Sequence, residues 1–223
     1  VQHVGLVTFV ANTGELQKLG ITKLPETWDE MIALDEQLKK YDEKGTLIRR
    51  GINLATKNEV WILIHFRTIL LSYGGDILTS DLKKGALDTP EALRAAEIYK
   101  ELSDPKIPDV FENFPGGFTL FDINGEYFKA IVPANWTITA TIPLKGTKPA
   151  SHMYFWFWTV SSKCENKDEA WKFLQYLSSA DQYKDIVSQI HLLPLNTAEE
   201  QMIKDDPWMQ TYVEASQYGV YFP

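Results

Sequence analysis

Tyr154-Phe155-Trp156-Phe157-Trp158 sets five aromatic residues in a row, with Trp136 eighteen residues before the first of them. Side chains of a strand alternate between two faces, so Trp156 and Trp158 share one face while Phe155 and Phe157 share the other. This allows two arrangements. Either the strand is buried on both faces of a sheet, or one face joins a core and the indoles line a groove. A groove of indoles suits a flat ring such as a sugar. Each indole buries a large apolar area, freezes few rotors and keeps one N–H.

Working outward, segments with strand character alternate with segments of helical period, which implies an α/β architecture. Residues 4–10 form a β-branched-rich run that stops at Ala11-Asn12-Thr13-Gly14. Thr27 and Glu30 make a capping box, after which Met31, Leu34 and Leu38 keep helical spacing toward Gly45. Residues 52–55 read as a short strand. Residues 58–73 are apolar on nearly every side and end at Gly74-Gly75, the pattern of a buried helix with a glycine stop. Thr89-Pro90-Glu91 opens another helix, with Leu93, Ala96 and Leu102 expected on one side.

Further along, residues 118–129 read as a short helix and residues 130–132 as a strand. Residues 142–149 read as a loop by their prolines and glycine. After the aromatic run, a helix is predicted over 166–178 with Ala170, Phe173, Leu174 and Leu177 inward. Two more helices are predicted over 181–190 and 207–217.

Composition narrows the function. The chain has 223 residues, 44% hydrophobic and 23% charged, enough to bury a working core in one large domain or two small ones. Thirty acidic against twenty-two basic residues give a net charge of −8, the wrong sign for a phosphate backbone, so no nucleic-acid partner is expected. The single cysteine, Cys164, rules out an internal disulfide and a cysteine-rich metal site. The longest apolar run, residues 60–64, is broken by His65 and Arg67 well short of the ~18 residues of a membrane helix. No direct membrane insertion is expected, and the first residues lack the pattern of a signal peptide.

Catalytic motifs are missing. There is no nucleophile elbow, phosphate loop, dinucleotide fingerprint or zinc-protease helix, and no cofactor is implied. His3, His65, His152 and His191 lie far apart, so no metal ligand set is expected. Asp122-Ile123-Asn124-Gly125-Glu126 matches part of a calcium loop but lacks the remaining oxygen ligands. Asp104, Asp109 and Glu112 are candidate carboxylates for glycoside cleavage, with nothing in the sequence to pair them across a sugar bond. Asn135-Trp136-Thr137 also fits the short N-glycosylation pattern.

The order of these pieces resembles the family 1 extracellular solute-binding proteins of ABC transporters, the maltose- and oligosaccharide-binding group. Leu19-Gly20-Ile21 and Leu24-Pro25-Glu26-Thr27-Trp28-Asp29-Glu30 resemble its "lfkkaGi…pPkTWdEl" stretch, and Tyr73-Gly74-Gly75-Asp76 its double glycine after a buried helix. Residues 118–136 are similar to "F..G.aAM…G.W", Pro143-Leu144-Lys145-Gly146 to "P.PkG", residues 161–178 to "skSknkeaAwkFlkfltS", and Leu193-Pro194 to a late "lP". The chain departs from the pattern where His152-Met153 stand in place of glycines before the aromatic strand, and where Ala134-Asn135 precede Trp136.

The resemblance implies a periplasmic-binding-protein type II-like α/β fold of two lobes with a central cleft, incomplete at both ends. Residues 1–151 would be mostly the second lobe, starting at the first interlobe crossover. Residues 152–223 would hold the crossover strand and helices mainly of the first lobe. It implies a periplasmic or extracellular receptor, with or without a lipid anchor, that has no catalytic activity. Such a receptor, a monomer when complete, takes a small-molecule carbohydrate and delivers it to a membrane permease. By the same resemblance Trp136 stacks a sugar, Tyr154, Trp156 and Trp158 lie near the crossover, and Trp61 borders the cleft. Asn135 and Glu59 would offer hydrogen bonds to hydroxyls. A sugar-acting enzyme and a protein-interaction module presenting the aromatic strand are the alternatives.

Overall fold

The computed structural model describes residues 3–109, 111–179, 182, 193 and 203–222. Its framework is two sheets. The larger has the order β3-β4-β5-β2-β6, formed by Lys40–Tyr41, Leu47–Ile52, Thr119–Asn124, Thr8–Ala11 and Thr139–Thr141 respectively. The smaller has the order β1-β7-β8, formed by His3–Leu6, Ser151–Trp156 and Gly219–Tyr221. The described α-helices are the short α1 (Thr13–Lys18), α2 (Trp28–Leu38), α3 (Glu59–Ser72), α4 (Pro90–Glu101), α5 (Lys167–Leu177) and α6 (Pro207–Ala215).

The β-branched run at 4–10 is divided between the sheets, with buried Val7 as the joint between β1 and β2. In β2, Phe9 and Ala11 face one core and Val10 faces another, the period-two pattern of a strand covered on both sides. The first core lies under α2, α3 and α4, where Phe9 stacks on Phe121 of β5 at 5.0 Å. The second is closed by α6, which brings Trp208, Met209 and Tyr212 over Val10, Phe114, Phe128 and Ala140. The chain crosses between sheets again in the 142–150 loop and after α6. That loop is anchored at both ends of its arc: Lys145 N donates to Glu26 O (3.0 Å), and Thr147 N donates to Ser72 O (2.9 Å).

Local chemistry sets the helix ends. Thr27 Oγ1 accepts from Glu30 N (3.1 Å), while the Glu30 carboxylate accepts from Glu26 N (2.7 Å), one residue ahead of the usual capping box. Asn58 caps α3, and Gly74 beyond its end has φ +91°, which a side chain tolerates poorly. In α2, Asp35 is buried beneath β4. It accepts from Gly51 N (2.7 Å), Ile52 N (3.1 Å) and Arg50 Nη2 (2.6 Å), so the buried charge has its partners.

Several expectations need correction. The segment at 118–129 is not a helix but β5 followed by a 3₁₀ turn, Glu126–Ala130, and residues 130–132, read as a strand, end that turn and bend away from it. Every residue of β5 is buried, so no alternation marked it as a strand. The strand read at 52–55 lies earlier, as β4. Helix α2 stops at Leu38, and Gly45 instead turns a hairpin between β3 and β4. The buried side of α4 is Ala92, Ala95 and Ile98, and Leu93 is 64% exposed. Helix α5 forms as expected, yet none of its residues is buried and Phe173 is 58% exposed. The helix predicted over 181–190, His191 and the Leu193-Pro194 motif lie outside the described residues, apart from isolated positions 182 and 193.

Arg67 ties α3 to the smaller sheet. Nε and Nη2 donate to Asp76 (both 2.7 Å), Nη1 donates to Val220 O (2.9 Å) and His152 Nδ1 (3.2 Å), and Nη2 donates to Tyr221 O (2.8 Å). All five donors of the guanidinium are therefore used, and its charge sits over the Phe222 ring at 5.3 Å. Arg67→Met should leave Asp76 and two β8 carbonyls without their donors and lower stability by roughly 3–5 kcal/mol. Urea unfolding read by tryptophan fluorescence measures this; an unchanged midpoint would show that the guanidinium contributes nothing.

Candidate functional site

Three of the predicted residues gather where α3 begins. Before that helix, the Asp109 carboxylate accepts from Thr56 N (2.8 Å), Lys57 N (3.1 Å) and Asn58 N (2.8 Å). This holds the amides of the segment that leads into the helix, the last of them that of the N-cap Asn58. Asp109, a candidate member of a catalytic pair by sequence, therefore serves as an anchor. Asp104 is likewise engaged locally, accepting from Lys106 N at 2.9 Å. Glu59 lies exposed in the first helical turn, and Trp61 is buried two residues further on. The indole of Trp61 meets His65 at 5.4 Å and Phe111 edge-on at 5.3 Å and 88°. Phe111 is 39% exposed and has φ +74°, the left-handed region that a bulky L-residue seldom occupies.

Trp136 stands on the second core. Its ring meets Phe114 at 5.6 Å and 71°, and Phe114 packs in turn on Phe128 at 5.4 Å. Trp136 N donates to Pro133 O (2.9 Å), closing a turn that leaves Asn135 exposed and the indole half-buried. One short loop thus touches both predicted tryptophans, Trp61 through Phe111 and Trp136 through Phe114. No ring contact among the described residues joins Trp136 to the aromatic strand.

In that strand only Tyr154, Phe155 and Trp156 belong to β7; Phe157 and Trp158 lie past the last pairing, His3 with Trp156. The expected division of faces is kept by Phe155 and Phe157, whose rings lie 5.9 Å apart, with Phe155 stacked on Tyr221 at 4.2 Å. On the other face the Tyr154 ring is wedged against the backbone: a Cβ at Gly5 would fall 2.1 Å from it, and one at Gly125 would fall 3.2 Å from its hydroxyl. Burial, then the nearby Glu126 carboxylate, push that hydroxyl well above its ordinary range. Trp156 stands edge-on to Tyr154 at 6.2 Å and is 60% exposed, and Trp158 is 44% exposed. Two hollows lie elsewhere. One of about 590 Å³ sits between the end of α3 and β8, lined by Gly74, Asp76, Lys148 and Tyr221; one of about 700 Å³ sits beside the start of α4, lined by Phe66, Leu87, Pro90 and Leu93.

The calcium-like motif is the end of β5 and the start of the 3₁₀ turn, with Asp122 accepting from Ile123 N (2.8 Å) and Asn124 Nδ2 (3.3 Å). Among the described residues no group of three or more His, Cys, Asp and Glu could hold a metal ion. His65 Nδ1 accepts from Ala55 N (3.1 Å), so Nε2 carries the proton and donates to Ile123 O (3.0 Å). Burial holds His65 down at about 4 and, with Arg67 adding to it, His152 at about 4, while burial lifts Asp122 to about 7.

Between pH 4 and 6.5 the unfolded chain protonates both histidines, whereas the folded chain protonates only Asp122. The unfolded state then binds one more proton, and stability falls on acidification. The expected loss is about 1.4 kcal/mol per pH unit from ~6.5 toward ~4, read by urea unfolding at several pH values. A flat or rising stability across that window would contradict the burial of these rings.

A mixed sheet layered by helices on both faces, with a second sheet joined to it by crossings, defines a periplasmic-binding-protein type of α/β fold. The chain belongs to the bacterial extracellular solute-binding protein family, whose pattern it matches over residues 2–184. A protein of Brucella abortus (strain 2308), described as a binding protein, is 28% identical over 210 residues, covering 86% of this chain and 49% of the relative. The chain thus spans about half the length of the curated relatives it matches. Among solved structures, an ABC transporter solute-binding protein from Thermotoga lettingae TMO, bound with alpha-D-tagatose, superposes with TM-score 0.79 at 22% identity, over 98% of this chain and 60% of that one. CpMnBP1 with mannobiose bound superposes with TM-score 0.81 at 14% identity, over 99% and 61%. These relatives are binding proteins rather than enzymes. No described helix is long and apolar enough to cross a membrane.

Sequence reasoning missed Phe111 and the anchoring role of Asp109. The run Phe111-Glu112-Asn113-Phe114-Pro115-Gly116-Gly117 carries turn-forming residues, but nothing in it marks which phenylalanine is core and which is surface.

Proposed function

We propose that this chain is part of an extracytoplasmic receptor that grips an oligosaccharide, returns it unchanged and delivers it to an ABC transporter permease. The observation that carries the reading is the family match over residues 2–184, on a fold shared with proteins solved holding tagatose and mannobiose. The five-stranded sheet with α2, α3, α4 and α6 would form one lobe, and the three-stranded sheet part of the other. Ligand contacts to both would favour a closed state and shift the population toward it.

In this reading Trp136, Trp156 and Trp158 stack sugar rings and Trp61 backs the site. Tyr154 shapes the crossover, and Asn135 and Glu59 bond hydroxyls. The receptor works outside the cytoplasm, as a monomer, with neither metal nor cofactor. Trp136→Ala should weaken sugar binding by about 1–3 kcal/mol, judged from the area an aromatic ring buries. Calorimetric titration with maltose or mannobiose measures this, and unaltered affinity would remove Trp136 from the site.

The competing enzyme reading has a direct test. Prolonged incubation with the same sugars should return them intact by chromatography, and any accumulating product would replace the receptor by a catalyst.

A further inference from the structure

We propose that the hollow between the end of α3 and β8 is a second ligand site, for a small apolar anion such as an aryl sulfonate or carboxylate, and that filling it alters the grip on sugar. The coupling rests on the receptor reading; the site itself does not. The hollow measures about 590 Å³, a size that suits a small molecule. Leu71, Leu78 and Leu82 line one side, Val220 and Phe222 the other, so its walls are mainly apolar. Charge enters at two points. Asp76 is already engaged: its two oxygens accept from Arg67 (both 2.7 Å), and Oδ1 also accepts from Ile77 N (2.7 Å). Lys148 is exposed at the edge, with no ion pair among the described residues. In a chain of net charge −8, this spot presents a cation beside apolar walls, and an apolar body with one negative group answers both.

The loop after α3 is strained in a way that burial does not explain. Leu82 holds φ +61° and is 54% exposed; a leucine adopts that left-handed conformation only where its surroundings impose it. Here they do. Leu82 N donates to Thr79 O (2.8 Å), Thr79 N donates to Lys84 O (2.9 Å), and Lys84 N donates to Thr79 Oγ1 (3.2 Å). Thr79 and Leu82 both line the hollow. This wall is therefore set before any ligand arrives, which lowers the entropy lost on binding.

Coupling follows from the origin of the walls. One is carried by α3 and the loop after it, the other by the smaller sheet. Arg67 joins them, donating to Asp76 on one side and to Val220 O (2.9 Å) and Tyr221 O (2.8 Å) on the other. In the receptor reading, sugar is held near Trp61 at the start of α3, and the lobes rotate against each other as they close. Helix α3 has 14 residues and so runs roughly 20 Å. Sugar and hollow thus lie toward opposite ends of one lever, with Arg67 between them. A molecule touching both walls favours one setting of the smaller sheet against α3, and it must alter sugar affinity by the factor that sugar alters its own.

Anilinonaphthalene sulfonate is the probe, read by fluorescence, with phenylnaphthylamine as its uncharged counterpart. The unaltered chain is compared with Lys148→Glu and Ser80→Trp; both positions are exposed, and melting temperature should not change. The unaltered chain should bind one equivalent of the sulfonate. Lys148→Glu should weaken it about 10-fold and leave the uncharged counterpart within about 2-fold. Ser80→Trp, which puts an indole into the hollow, should weaken both probes by about 10-fold or more. Saturating maltose or mannobiose should shift sulfonate affinity by about 5-fold or more, and saturating sulfonate should shift sugar affinity by the same factor.

Equal sulfonate binding by all three proteins would put the probe on other apolar surface and overturn the site. Sulfonate held in the hollow with sugar affinity indifferent to it would overturn the coupling and leave the receptor reading standing. If neither sugar binds the unaltered chain, the receptor reading fails and takes the coupling with it, while the two variants still decide the site.

Discussion

The architecture depends on satisfying one buried cation. Arg67 leaves the middle of α3, a mostly apolar helix, and is itself fully buried, so its desolvation has to be offset by partners. Only a complete set of acceptors makes that position tenable, and those acceptors come from places far apart in sequence: the carboxylate after the helix, the imidazole of β7 and the last strand's carbonyls. The charge thereby specifies which strand lies against which helix. Apolar packing alone would tolerate several arrangements of three short strands; the guanidinium fork accepts one.

Carboxylates hold backbone in the same way at the edges of the candidate site. Asp109 and Asp35 each sit where several backbone amides converge, and each fixes a connection rather than a reaction. His65 bridges the segment before α3 to β5 as a neutral ring with both nitrogens occupied. The exposed groups, Trp156, Trp158, Phe111 and Asn135, project from a frame whose polar interior is engaged in holding shape. A receptor that exchanges ligand without chemistry needs this division between a rigid base and accessible rings.

How much of this was legible in the sequence depended on whether a local rule had a competitor. Thr27 with Glu30 and Asn58 with Gly74 marked helix ends because capping chemistry acts within a few residues. Strand β5 escaped notice because burial on both faces erases alternation, and its polar Asp122 and Asn124 imitated part of a calcium loop. Leu93 was assigned inward because leucine is apolar, whereas small Ala92 and Ala95 let α4 approach its neighbours. The aromatic run announced a strand, but pairing stops at Trp156, so the last two rings follow no strand geometry. The union of Trp61 and Trp136 through one loop is a tertiary fact, and no spacing in the chain could display it.

The contact of Tyr154 with Gly5 and Gly125 has a consequence for how such chains diverge. Strands β1 and β7 and the turn after β5, distant in sequence, meet around one phenol, leaving no volume for a methyl group at position 5. Drift at these sites must be concerted. A lineage that acquires a side chain at position 5 has to shrink residue 154 in step, and alignments of close homologues should display that coupled replacement even where the surrounding surface varies freely.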